Sequence, residues 1–197
     1  MNHKDTPRIE KSVNGTKIVL IKGDITKLKF NPSSPGAIVN AANEGLVQGG
    51  GVCGDIYTAA GPGLNTYTSK LGNFSGSTVK CPTGKAVITP SFNLENPPHY
   101  ITRIIHAVGP VGEKTVLLRS AYTESLEVAQ TNSVHRIAFP CISTSIFGYP
   151  PAKAAPVAFQ AVIDYVNAHH GHFTEIIFVC FSESDYFLYE PLIAALP

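Results

Sequence analysis

The sequence predicts an α/β fold, a three-layer α/β/α sandwich around a mixed, mainly parallel sheet. Short β-branched runs alternate with longer helical stretches along almost the whole chain, as strands separated by crossover helices do. The strand candidates are continuously apolar, as strands covered on both faces are. The 197 residues, 44% of them hydrophobic, suffice for one sizeable core and are short for two.

Residues 1–11 are polar and charged, lack the pattern of a secretory signal, and read as a partly disordered lead-in to a domain at 12–197. Strands are expected at 17–21, 37–39, 86–89, 101–107, 136–139 and 175–181, and helices at 52–60, 116–131, 152–168 and 186–196. The stretch 61–84 is rich in Gly, Ser, Thr and Asn and contains no acid. It reads as a surface excursion holding one short helical piece.

Lysine and arginine total 15 against 14 acids, so the chain lacks the basic excess that gathers nucleic acid, and nucleic acid is not an expected partner. An anion would have to be held locally, by backbone N–H groups and helix N-termini. No apolar run approaches the roughly 20 residues that span a bilayer, so no membrane partner is expected. Cys53, Cys81, Cys141 and Cys180 form no C-x-x-C pair, which favours reduced thiols in a cytoplasmic or nucleocytoplasmic setting. A monomer is expected.

In open α/β sheets the ligand crevice lies beyond the carboxyl ends of the strands, which directs attention to four segments. These are Gly23-Asp24-Ile25-Thr26, then Asn40 to Asn43 followed by GGGVCG at 49–54, then the segment 140–150, and finally Phe181-Ser182-Glu183. Glycines let backbone approach a phosphate closely, and a helix starting beside them offers unpaired N–H groups. The segment 143–148 forms a second such cradle, so that two facing loops clasp a diphosphate. GGGVCG also matches G-x-G-x-x-G, but eight residues separate it from the strand and no acid lies between Asp55 and Glu95, against the dinucleotide fingerprint.

Taken together, GDIT at 23–26, IVNAAN at 38–43, GGGVCG at 49–54, CPTGKAVIT at 81–89, IIHAVGP at 104–110, IAFPCISTSIFGYP at 137–150 and FVCFSE at 178–183 resemble the ordered landmarks of the macrodomain family. The resemblance implies binding of ADP-ribose or ADP-ribosylated proteins, with Asp24 and the Ile25 N–H on adenine. It implies that Gly49, Gly50, Gly51 and Val52 hold the diphosphate from one side, and Ser143, Thr144, Ser145, Ile146 and Phe147 from the other. Asn43 would contact the distal ribose and orient water beside the Gly51 backbone. Phe147 and Phe181 stand where the family places aromatics beside the ligand; core packing is the competing reading of both. Asn40 is expected to hold its loop by side-chain to backbone bonds.

Two departures qualify the resemblance. Hydrolytic MacroD-type members carry Asp in the pattern GGGVDG, where this chain has Cys53. Asp55 lies about 200° round the helix from it, pointing elsewhere, and reads as complementing the helix dipole in the first turn. The Cys form also resembles alphavirus macrodomains, which are hydrolases attributed with substrate-assisted catalysis. Ser145 stands where the family usually has glycine in a turn, so a shifted loop is expected if that position needs positive φ. A hydrolase of ADP-ribose esters, on acidic side chains or in O-acetyl-ADP-ribose, with Cys53 a weak catalytic candidate, therefore stands beside a non-catalytic reader. No cofactor is called for. The His169-His170-x-His172 cluster sits at a helix end beside Gly171, where cationic side chains and glycine belong, so no metal site is expected. His106 reads as a satisfied core histidine.

Overall fold

In the computed structural model, which describes residues 8–197, seven strands form one sheet. They are β1 (Arg8–Val13), β2 (Thr16–Lys22), β3 (Gly36–Ala41), β4 (Ala86–Pro90), β5 (Ile101–Ala107), β6 (Arg136–Phe139) and β7 (Glu175–Cys180). The helices are α1 (Gly51–Ala60), α2 (Pro62–Ser69), α3 (Thr115–Thr131), α4 (Pro151–Ala168) and α5 (Glu183–Ala194). The sheet order is β1-β2-β7-β6-β3-β5-β4, with the inner five strands parallel and both edge strands antiparallel to their neighbours. This is the expected mixed, mainly parallel sheet with helices on both faces.

Side chains alternate across the sheet with the strand period of two. Ile18, Leu20, Ala37, Val39, Ile137, Phe139, Ile176 and Phe178 pack on one face with α3, α4 and α5. Val19, Ile38, Ile104, Ala138, Ile177 and Val179 point to the other, against α1 and α2. Both faces are covered, which is why the strands read as continuous apolar runs. In the expected excursion at 61–84, α2 docks Leu64 and Thr68 beneath its own turn, both buried.

The lead-in reading needs correction. Residues 8–11 begin β1, which pairs with β2 from Arg8↔Ile21 to Val13↔Thr16; residues 1–7 lie outside the described residues. Polar composition misled because an edge strand is held by backbone hydrogen bonds and one half-covered face. The turn gives it away. Asn14 and Gly15 both have positive φ, 50° and 82°, and Asn-Gly between two strand runs is a strong hairpin signal.

One ion cluster ties the amino ends of three strands. Glu175, almost buried at the start of β7, accepts from Arg8 Nη2 at 3.2 Å and Arg136 Nε at 2.9 Å, with Arg136 Nη2 completing the fork. The Arg136 guanidinium lies 5.2 Å from the Phe30 ring centroid. Removing the buried carboxylate's charge strands two guanidinium partners. Glu175→Gln is expected to cost about 2 kcal/mol, below the range for fully buried pairs because Arg8 is half exposed. Urea denaturation measures it; an unchanged midpoint would contradict the assignment.

Candidate functional site

All five parallel strands end at one edge of the sheet, and their following loops converge there. They enclose a cleft of two connected chambers. A distal chamber of about 230 Å³ is lined by Ala41, Ala42, Asn43, the 49–53 glycine loop, Cys141, Ser143, Ser145, Ile146 and Phe147. A proximal chamber of about 370 Å³ is lined by Gly23, Asp24, Ile25, Asp55, Thr144, Val179, Phe181 and Asp185, among others. Gly51, Val52, Cys141 and Ser145 line both chambers and so mark their junction.

Backbone donors meet at that junction. α1 begins at Gly51 with Gly50 as N-cap, and no side chain caps it, so its first N–H groups are open to an anion. Across the cleft, no acceptor among the described residues takes the N–H of Ser145, Ile146 or Phe147. The loops touch: Ile146 Cδ1 lies 3.1 Å from where a Cβ on residue 50 would stand, so only glycine fits there without displacement. The loop that carries Ile146 is pinned from behind. Tyr122 Oη accepts from the Ile142 N–H and donates to the Pro140 carbonyl, both at 3.2 Å, and the Gly112 N–H donates to the Phe147 carbonyl at 2.7 Å.

The expected strain at Ser145 is absent. Positive φ falls at Ser143 (68°) and Gly148 (68°) instead, because the loop turns at its ends and leaves 144–147 free to line the cleft. The Ser143 side chain packs against bare Gly109, where a Cβ would collide with Ser143 Oγ and lie 2.5 Å from Ile142 Cγ2. Ser143 Oγ is buried without a hydrogen-bond partner among the described residues.

The acid positions divide by chamber. Asp24 Oδ1 accepts from the Thr26 N–H at 2.9 Å and its hydroxyl at 2.7 Å, capping the turn that follows β2. The same residue lines the proximal chamber, so capping the turn leaves it at the cleft. Asp55 does lie away from Cys53, but it points into the proximal chamber and stands in the second turn of α1, which corrects its reading as a first-turn dipole partner. Phe181 is 78% exposed beside that chamber, which excludes core packing; Phe147, half-buried, lines the distal one.

Asn43 closes its own loop, accepting from the Val47 N–H at 3.1 Å and donating to the Val47 carbonyl at 2.8 Å. One amide hydrogen and one lone pair remain for a ligand. Asn40 is held otherwise than expected: it is completely buried and bonded to side chains. Its Nδ2 donates to His106 Nδ1 at 3.1 Å and reaches Cys53 Sγ at 3.6 Å. That arrangement places the proton of neutral His106 on Nε2, which donates to Thr89 Oγ1 at 3.1 Å. Cys53 Sγ in turn donates to the Val47 carbonyl at 3.8 Å. Ala41, Ala42 and Cys141 lie within the post-strand segments singled out above without having been named individually, and Asp185, in the first turn of α5, was not anticipated.

Another hollow, about 440 Å³, lies at the opposite edge among Ser34, Gly36, Arg103, Asn132 and His135. It faces the C-terminus of α3, where the helix dipole repels anions, and none of the glycine loop reaches it. The histidines 169, 170 and 172 form no metal group among the described residues. No described helix is long and apolar enough to cross a membrane.

A sequence model of the Macro domain family matches residues 39–158. The chain is 41% identical over 183 residues to a protein of Escherichia coli (strain K12) named O-acetyl-ADP-ribose deacetylase, covering 90% of this chain and 96% of that one. Among solved structures, an Oceanobacillus iheyensis macrodomain with ADP superposes with a TM-score of 0.85 at 32% identity, covering 98% of this chain and all of that one. A Trypanosoma brucei macrodomain in complex with ADP-ribose gives 0.77 at 33% identity, covering 89% of this chain and 68% of that one.

The buried network behind Cys53 has a pH signature. Burial pushes the His106 imidazole down to about 3, whereas in the unfolded chain it titrates near 6.5. Between those values the unfolded state binds a proton that the folded state refuses. Stability therefore falls as pH drops from about 6.5, by up to about 1.4 kcal/mol per unit for this group. His106→Gln is expected to flatten that slope between about pH 6 and 4 in urea denaturation; parallel wild-type and variant curves would contradict it.

Proposed function

This chain belongs to the Macro domain family, and from that premise we propose that its cleft binds ADP-ribose and hydrolyses an ester carried on the distal ribose. The substrate class is O-acetyl-ADP-ribose and mono-ADP-ribose esters of acidic side chains. The observation that carries the reading is the meeting of two sets of unclaimed backbone N–H groups, at the start of α1 and along 145–147, at the junction of two chambers. That is the arrangement a diphosphate requires between two sugars. The name of the E. coli relative and the ligands of the two solved neighbours point the same way.

The proximal chamber takes the adenosine: Asp24 and the Ile25 N–H meet the adenine edge, and the exposed Phe181 ring lies on its face. Gly49, Gly50, Gly51 and Val52 hold the diphosphate from one side, and Ser143, Thr144, Ser145, Ile146 and Phe147 from the other. The distal ribose then faces Asn43 and the Gly51 backbone. Asn43 orients the sugar and a water with its spare hydrogen-bonding capacity, while its bonds to Val47 fix the loop.

Among the described residues, no carboxylate or imidazole lines the distal chamber, so the proton acceptor is a ligand phosphate oxygen held nearby. Water oxygen bonds to the acyl carbon, the bond from that carbon to the ribose oxygen breaks, and the ribose oxygen receives the proton. The products are a carboxylic acid and ADP-ribose. Cys53, engaged with Asn40 and Val47, shapes the chamber floor.

The absence of any carboxylate from that lining also favours a second reading, a reader that binds ADP-ribosylated proteins without turnover. Single-turnover release of acetate from O-acetyl-ADP-ribose separates the two. The hydrolase reading expects cleavage by the natural protein and a loss of about 100-fold in Asn43→Ala, the scale of a misplaced reacting group. Substrate that binds and stays intact, yet is cleaved by Cys53→Asp, would establish the reader.

A further inference from the structure

The cleft opens where two neighbouring strands part. β3 and β6 pair at Ala37↔Ile137 and Ile38↔Ala138. β3 then continues beside β5 to Ala41↔Ala107, while β6 ends at Phe139. The backbone that follows β6 leaves the sheet still buried, since Pro140 and Ile142 are both out of solvent. Polar backbone groups placed in this way must be met by side chains or water.

One hydroxyl from α3 meets two of them. Tyr122 is 1% exposed, its ring 5.1 Å from that of Phe139 between centroids. It accepts from the Ile142 N–H and donates to the Pro140 carbonyl. Burial pushes its phenol above the ordinary range, so the proton needed for that donation stays in place. Seven residues earlier on α3, about 10 Å back along the same face, Thr115 Oγ1 shares a hydrogen bond with Tyr149 Oη at 3.0 Å. The Tyr149 N–H closes the loop onto the Ser143 carbonyl at 2.9 Å. One helix therefore holds the 143–148 loop at its entry and at its exit.

The same helix reaches the facing loop. Ser120 Oγ donates to the Gly84 carbonyl at 2.8 Å, and Gly84 lies so close to α3 that a Cβ there would stand 3.1 Å from Leu117 Cδ2. Beside Gly84, Thr83 donates to the Glu44 carboxylate, and the N–H groups of Lys80 and Cys81 donate to the Glu44 carbonyl at 2.9 and 3.1 Å. Glu44 adjoins Asn43 and leads into the glycine loop.

We propose that α3 positions the diphosphate donors: Tyr122, Thr115 and Ser120, none of which lines either chamber, set the two loops at the separation a diphosphate spans. They are positioning residues, acting through Pro140, Ile142, Tyr149 and Gly84. Removing one takes no contact from the ligand. It frees a loop whose ordering then opposes binding. This inference rests on the reading of the cleft as an ADP-ribose site and adds what holds its donors in place.

The test compares ADP-ribose, by calorimetric titration, with adenosine, by NMR titration; adenosine fits the proximal chamber and carries no diphosphate. Tyr122→Phe keeps the ring and deletes the hydroxyl. It is expected to weaken ADP-ribose about tenfold while adenosine stays within about twofold of its affinity for the natural protein. Thr115→Val is expected to weaken ADP-ribose about threefold, and Thr115→Ser, which restores the hydroxyl, to recover it. Should Tyr122→Phe fail to fold, the two Thr115 variants decide alone. Equal losses for adenosine and ADP-ribose would make these residues supports of the fold only and overturn the proposal. Full ADP-ribose affinity in Tyr122→Phe and Thr115→Val would overturn it as well. If the natural protein does not bind ADP-ribose, the reading of the cleft falls instead, and the role of α3 with it.

Discussion

Across the cleft, the Ile146 side chain approaches Gly50 so closely that the glycine loop and the 143–148 loop meet there. Beside that approach, Gly51, Val52, Cys141 and Ser145 line both chambers and join them. A Cβ at residue 50 would stand 3.1 Å from Ile146 Cδ1 and push that side chain back, and Gly51 beyond it takes φ 57° to start α1. Each loop is braced from outside the cleft. Glu44 accepts from the N–H and hydroxyl of Thr83, at 2.9 and 2.8 Å, securing the segment before the glycines. Tyr122, from α3, secures the segment before Ser143. Pre-formed donors lose little entropy when an anion arrives, so a chain of net charge +1 needs no basic cluster for the proposed diphosphate.

Electrostatics then divide the labour. The positive end of α1 lies at the junction, with carboxylates lining the proximal chamber and, among the described residues, none lining the distal one. A hydrolase built this way lacks a side-chain base, and its chemistry depends on the substrate's own phosphate. The buried chain from Cys53 through Asn40 and His106 to Thr89 is neutral throughout, since burial keeps His106 unprotonated. It stiffens the floor of the distal chamber without contributing charge to it.

The fold was readable because its signals are local. Continuous runs such as EIIFVC mark strands covered on both faces, and the helices between them begin within three residues of expectation. The first strand was missed because an edge strand with the pattern Arg-Ile-Glu-Lys buries little and looks like a charged tail; the Asn14-Gly15 turn was its one clear sign. At the site, the glycine and serine loops could be found from their composition and their place after strands. Their fine geometry could not. Strain at Ser143 and not Ser145 follows from packing against Gly109, a neighbour 34 residues away whose contact no local pattern encodes. Likewise, helical angle told that Asp55 faces away from Cys53, but not that it joins Phe181 and Asp185 around a second chamber.

The central claim is that a diphosphate sits between the two loops. Amide chemical shifts of the protein, followed by NMR as ADP-ribose is added, test it most directly. The account predicts that the largest changes fall on the N–H groups of Gly50, Gly51, Val52, Ser145, Ile146 and Phe147, with smaller ones at Ile25 and Phe181. Changes centred instead on Ser34, Gly36 and His135, at the far edge of the sheet, would contradict it.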